Sequence, residues 1–152
     1  MKTFMQIVDA TAKTITEIMP WDLEEKLESD TPPMLIDIRE PYEYDAMHIN
    51  NSLLVPRGIL ETACEFNYEE TIPELADARD AEIVVICRSG NRSVLAAAVM
   101  QELGYTNVAS LKTGLRGWND YEQPLVNNST ETVDIEVADE FFSTTLRAEQ
   151  ER

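Results

Sequence analysis

Glu82-Ile83-Val84-Val85-Ile86-Cys87-Arg88-Ser89-Gly90-Asn91-Arg92-Ser93 is the stretch on which the reading of this 152-residue chain turns. Its first half is almost wholly β-branched and apolar, the composition of a strand covered on both faces and therefore central in a sheet. Ser89, Gly90 and Asn91 then supply turn chemistry. Ser93 to Leu103, rich in Ala, Val and Leu, reads as a buried helix stopped by Gly104. A strand that passes through a tight turn into a helix is a unit of an α/β domain, and in open α/β sheets ligands collect at the carboxyl ends of the strands.

The flanking sequence repeats the alternation. Phe4, Ile7, Val8 and Thr11, within residues 4–13, have the spacing of a short amphipathic helix packed on the domain surface. Thr14 to Met19 is β-rich and ends at Pro20, and Trp21 to Leu27 follows as a helix. Met34 to Ile38 reads as a short buried strand whose exit carries Asp37, Arg39 and Glu40, with a helix starting at Pro41. Ser52 to Val55 is a further apolar run closed by Pro56, residues 58–76 suggest one or two short helices around Pro73, Tyr105 to Leu111 a last strand, and Gly114 to Tyr121 a final turn and helix. Strands alternating with helices predict an α/β domain with a mostly parallel sheet. The expected organisation is a helix over residues 1–13, a domain over 14–122 and an acidic extension over 123–152. Within that extension Asn127 to Thr130 reads as a linker, Val133 to Val137 alternates apolar with acidic residues, and Phe141, Phe142 and Leu146 can share a helical face. Two readings stand for it: a partly ordered tail lying on the body, or a segment that docks a partner or a second copy.

A hydrophobic fraction of 43% is enough for one sizeable core, and 29 acidic against 12 basic residues give a formal charge of −17. Such a surface disfavours nucleic acid and anionic membranes as partners, so any bound anion needs a local positive spot. The N-terminus does not resemble a secretory signal, and no apolar run approaches the ~20 residues that span a bilayer. Cys64 and Cys87 are the only cysteines, too far apart in sequence for a disulfide framework or a paired metal motif. The expectation is a cytoplasmic protein with reduced thiols, no metal and no organic cofactor.

Cys87 carries the chemistry. Backbone N–H groups of a tight loop, together with the unpaired donors of a first helical turn, form a concave anion site, and Gly90 allows the turn that aims them inward. A cysteine there ionises readily, its thiolate favoured by the helix N-terminus and by Arg88 and Arg92. A cysteine at a strand end is by habit a buried small hydrophobe; Arg88, Gly90 and Arg92 around it tip the balance to a nucleophile. Arg88 is expected at the substrate entrance, and Arg92 either on the bound anion or, as the favoured alternative, in an ion pair with Asp37 that braces the loop. Asp37 reads as a loop-organising acceptor rather than a base, because thiol-to-persulfide chemistry needs little proton transfer. His48 is the single histidine, and it could act in a Cys–His dyad only within hydrogen-bond reach of the thiol. Cys64 reads as a spare buried thiol, with a resolving role as the alternative, and Trp118 as core beside Gly114 and Gly117.

Cys87 to Arg92 resembles the six-residue active loop of the rhodanese family. Asp37-Ile38-Arg39-Glu40-Pro41-Tyr42-Glu43-Tyr44, followed by His48-Ile49-Asn50-Asn51-Ser52, is similar to its first signature; Gly104 to Val108 resembles its last crossover, and Gly114-Leu115-Arg116-Gly117-Trp118 its closing motif. The resemblance runs from Ile15 to Tyr121, and the place of His48 in the first signature implies a turn-stabilising hydrogen bond in place of a Cys–His dyad. It implies a five-stranded, mostly parallel sheet flanked by helices on both faces, with Cys87 as the persulfide-forming residue. Arg88, Ser89, Gly90, Asn91, Arg92 and Ser93 would be the substrate loop, supported by Asp37 and Arg39. The donor implied is thiosulfate, a polysulfide or a protein persulfide; the acceptor is cyanide, a small thiol or another protein, including a sulfur-relay partner. Two other functions compete: a binding or sulfur-carrier module that docks a protein, and a phosphatase or arsenate reductase. Those enzymes use a loop one residue longer, sized for a tetrahedral oxyanion, which disfavours the last reading. Met47 departs from the family, which usually has glycine before His48, so a different turn is expected there.

Overall fold

The computed structural model describes all 152 residues and contains one parallel sheet of five strands, in the order β1-β5-β4-β2-β3. The strands are β1 (Thr16–Ile18), β2 (Met34–Asp37), β3 (Leu53–Leu54), β4 (Ile83–Ile86) and β5 (Val108–Leu111). The helices are α1 (Phe4–Ala12), α2 (Pro20–Leu27), α3 (Pro41–Ala46), α4 (Leu60–Ala63), α5 (Pro73–Ala76), α6 (Arg92–Glu102), α7 (Gly114–Asp120) and α8 (Ile135–Phe141). The expected α/β architecture is the one observed, and β4 occupies the centre. Its four residues are all buried, and they divide by strand alternation: Ile83 and Val85 join Ala96, Ala97 and Met100 of α6 on one face, while Val84 and Ile86 join Leu23 of α2 and Leu115 and Trp118 of α7 on the other. Two apolar layers therefore clamp the strand whose end carries Cys87, which fixes that end against sliding. No helix is long and apolar enough to cross a membrane.

The terminal segments pack on this body in unequal ways. Thr3 and Gln6 form a reciprocal cap at the start of α1, and α1 lies along α6. Only Val8 is buried, however; Phe4 and Ile7, expected on the same packed face, stay about half exposed. The extension is anchored more firmly. Asp134 caps α8 through the Glu136 N–H, and Ala138 and Phe142 sink into the layer formed by Leu115 and Trp118, where burying the Phe142 ring alone contributes about 1.5–3 kcal/mol. The alternating Val133–Val137 run does not pair as a strand: Ile135 begins a helix, and Ile135 and Val137 face outward. Leu146, expected beside Phe142, is exposed as well. Upstream, Val126 exchanges backbone hydrogen bonds with His48 at 2.8 and 2.9 Å, tying the extension to the turn after α3.

Candidate functional site

Chain direction alone puts Cys87 at the carboxyl end of the central strand, immediately before the loop that enters α6. Its side chain is 1% exposed. The Gly90 and Ser93 backbone N–H groups donate to Sγ at 3.2 and 3.3 Å, and the thiol donates to Ser93 Oγ at 3.3 Å. Ser93 Oγ lies 2.7 Å from Ser110 Oγ on β5, and both serines are fully buried. A thiolate would keep both amides, and the two hydroxyls can rotate so that Ser110 donates to Ser93 and Ser93 to sulfur, adding a third donor with no backbone movement.

The loop is held from outside by the start of α7. Leu115 N–H donates to the Cys87 carbonyl and Arg116 N–H to the Arg88 carbonyl, each at 3.0 Å. Gly90, at φ +85°, turns its bare Cα toward the Thr113–Gly114 backbone; a Cβ there would stand 2.8 Å from Thr113 N.

The charged residues are distributed differently from expectation. Arg92 does not pair with Asp37. It forks onto Glu43 of α3, with Nη1–Oε2 at 3.0 Å and Nη2–Oε1 at 2.9 Å. Asp37 is already saturated by Arg39, whose backbone N–H, Nε and Nη2 all donate to it, and Arg39 Nη2 also donates to the Met47 carbonyl at 2.7 Å. An adjacent arginine reaches that carboxylate with one turn of chain, which leaves Arg92 to the acid across the loop. Arg88 also makes an unforeseen contact, donating through Nη2 to the carbonyls of Phe142 and Ser143 at 2.9 and 3.3 Å, so the end of α8 holds it.

His48 makes the expected turn bond: Nδ1 lies 2.7 Å from the Tyr44 carbonyl, the ring stacks on Tyr44 at 3.7 Å, and it makes no hydrogen bond to Cys87. Met47 adopts an extended backbone, φ −169°, which any residue can take, so a side chain replaces the family's glycine without strain. Cys64 is a buried free thiol whose pKa is pushed up by burial, against weaker opposing effects of Tyr105 and Arg79. Glu43 and Ser110 were not singled out from sequence. Ser110 left a signal, a hydroxyl in the middle of the apolar β5 segment; Glu43 left none, being one acid among several on an acidic helix.

Burial would raise the Glu43 carboxyl, but the Arg92 fork, the Glu40 N–H and more distant Arg39 outweigh it and hold the carboxyl below its ordinary value. A depressed folded-state pKa contributes stability that is complete above the unfolded value, about 4.3, and is lost as pH falls through the lower folded value. Urea unfolding across that acid range is therefore expected to show wild type losing stability more steeply than Glu43→Gln. Parallel pH profiles would disprove the linkage.

Beside the loop, at Ser89, opens a groove of about 640 Å³ lined by Trp21, Ser89, Thr113, Arg116, Asp120 and Tyr121 among others. The arrangement can hold an anionic sulfur on backbone dipoles and meet a small ligand at the loop's edge.

Comparison with known proteins gives a consistent picture. The family described as "Rhodanese-like domain" matches residues 19–121. The chain is 31% identical over 115 residues to the "Probable adenylyltransferase/sulfurtransferase MoeZ" of Mycobacterium tuberculosis, a match that covers 76% of this chain and only 27% of that longer protein. It is 31% identical over 103 residues to the "Putative thiosulfate sulfurtransferase, mitochondrial" of Schizosaccharomyces pombe, covering 66% of this chain and 72% of that one. Among solved structures, a protein of unknown function from Rhodopseudomonas palustris, described as a "Possible Tyrosine Phosphatase", superposes with a TM-score of 0.71 at 27% identity, over 82% of this chain and 94% of its own.

Proposed function

Since the chain belongs to the rhodanese-like domain family, with sulfurtransferases among its relatives, we propose that it moves sulfane sulfur as a persulfide on Cys87. The observation that carries this reading is the convergence of the Gly90 and Ser93 amides on one sulfur atom, whose thiol donates to the Ser93 hydroxyl oxygen. The Cys87 thiolate attacks the outer sulfur of thiosulfate; the S–S bond of the donor breaks, sulfite leaves with the electron pair, and Cys87 is left as a persulfide anion. A thiolate, cyanide or protein nucleophile then takes the outer sulfur and regenerates the thiolate. Neither step consumes or releases a proton once the thiol is ionised, which fits a chain whose single histidine is committed to a carbonyl. The persulfide keeps a negative charge, so the same fixed dipoles serve both states.

In this reading Arg88, Ser89, Gly90, Asn91, Arg92 and Ser93 form the substrate loop, and the Asp37–Arg39 pair braces the end of β2 beside it. Residues 14–122 make up the catalytic domain, with 1–13 and 123–152 as appendages. The chain spans about a quarter of the mycobacterial relative, which is named for both adenylyl and sulfur transfer; a protein acceptor in a sulfur relay is the partner this suggests. Two free cysteines fit a reducing, cytoplasmic setting. A second reading, phosphatase activity, is raised by the name of the Rhodopseudomonas palustris structure. The six-residue loop argues against it, since it lacks the extra residue that the related phosphatases use to surround a tetrahedral oxyanion.

Incubation with thiosulfate, followed by intact-mass measurement, is expected to show one added sulfur atom that cyanide removes. Cys87→Ser should gain none. A wild-type protein that never gains this mass would overturn the assignment, and turnover of an aryl phosphate at a rate rivalling sulfur transfer would reverse the ranking.

A further inference from the structure

We propose, building on the sulfur-transfer reading, that Arg116 with Lys112 forms the cationic subsite that recognises the charged end of an anionic sulfur donor. With a net charge of −17 the chain repels anions, so a doubly charged donor such as thiosulfate requires a local cation. The arginines on either side of the loop are both engaged: Arg88 donates to the Phe142 and Ser143 carbonyls, and Arg92 is neutralised by Glu43. Arg39 is spent on Asp37, and Arg79 on backbone carbonyls and Tyr105. None of the five ion pairs includes Arg116 or Lys112, and neither side chain makes a hydrogen bond. Both are exposed.

The backbone that carries Arg116 is tied to the loop. Arg116 N–H is bonded to the Arg88 carbonyl and Leu115 N–H to the Cys87 carbonyl, so the first turn of α7 moves with the loop. Arg116 lines the groove that meets the loop at Ser89, and Lys112 lines the adjoining hollow with Ser89, Gly90 and Asn91; Thr113 belongs to both walls. Trp21 and Tyr121, packed edge to face at 5.9 Å, line the same groove as Arg116. Asp120 in the groove, and Asp9 and Glu17 in the hollow, share these walls without pairing with either cation, and their charges oppose anion entry. A guanidinium facing open solvent beside the loop suits a sulfonate-like group through parallel N–H donors.

The test is the donor concentration at half-maximal persulfide formation, followed by intact mass in rapid-quench samples. Arg116→Ala is expected to raise it for thiosulfate by on the order of 10-fold, the loss of one charge-assisted contact, with a smaller effect at saturation. Lys112→Ala adds to the increase, Arg116→Lys recovers part of it, and Asp120→Asn lowers it. Added salt should weaken thiosulfate use by wild type more than by Arg116→Ala. An uncharged organic trisulfide, attacked at its central sulfur with loss of one organic thiolate and followed by intact mass as the protein trisulfide adduct, should react with both proteins alike. If wild type loads with thiosulfate and Arg116→Ala with Lys112→Ala leaves half-saturation unchanged, this inference is wrong while the sulfur-transfer reading stands. If wild type accepts sulfur from neither donor, both fall together.

Discussion

Gly114→Ala is expected to weaken the fold by about 2–5 kcal/mol and to slow persulfide formation on the order of 100-fold, although residue 114 never touches the reacting sulfur. Gly114 sits at φ +59°, where an L side chain is strained. A Cβ on it would lie 2.5 Å from the Arg88 carbonyl oxygen and 2.6 Å from that of Cys87. Both obstacles are backbone, so relief requires the loop and the start of α7 to separate. Those same carbonyls accept the Leu115 and Arg116 N–H groups that hold the loop down. Separation would break both bonds and swing the Gly90 and Ser93 amides off Sγ. Urea unfolding gives the stability change and thiosulfate loading the activity change. Gly58→Ala is the control, since a Cβ there meets nothing within 4 Å. A Gly114→Ala protein as stable as Gly58→Ala, with a normal loading rate, would show that the loop does not depend on this contact.

The same contact shows why sequence carried some of the site and not the rest. The strand and helix around Cys87 were legible because their signals are local: a run of β-branched residues buried on both faces can only be central, and Ser89-Gly90-Asn91 can only turn. The role of His48 was legible only through its place in the family's first signature; which carbonyl it meets, that of Tyr44, came from the structure. Ionic partners were harder. Sequence set Arg92 either on the bound anion or, by preference, on Asp37; the pairing with Glu43 depends on how α3 lies across the loop and on Arg39 having occupied Asp37. Arg88 is bound by two main-chain carbonyls more than 50 positions away, a contact with no sequence signature at either end. On α1 the apolar spacing marked a helix correctly, yet spacing does not say whether a neighbour is present to cover the face, and Phe4 and Ile7 remain open to solvent.

Asp37→Ala is expected to cost about 3–5 kcal/mol, because it strands a guanidinium that has no route to water. Arg39 and Asp37 are both 0% exposed, and Arg39 Nη2 lies 2.8 Å from Asp37 Oδ2. Arg39 Nη1 has no hydrogen-bond partner at all, so the pair already carries one unsatisfied donor and tolerates no further loss. What the pair does is positional. Asp37 ends β2 next to β4, and Arg39 Nη2 ties the Met47 carbonyl, hence the His48 turn and the Val126 bridge, to that strand end. The Asp37→Ala, Arg39→Met double variant removes both charges, and is expected to recover most of the lost stability, since a buried pair is worth little more than apolar side chains of similar size. It should recover less of the thiosulfate loading rate, because the Met47 tether is gone as well. Urea midpoints for the two variants separate the electrostatic cost from the positional one. A double variant no more stable than Asp37→Ala would mean that geometry at the end of β2, rather than an uncompensated charge, sets the penalty.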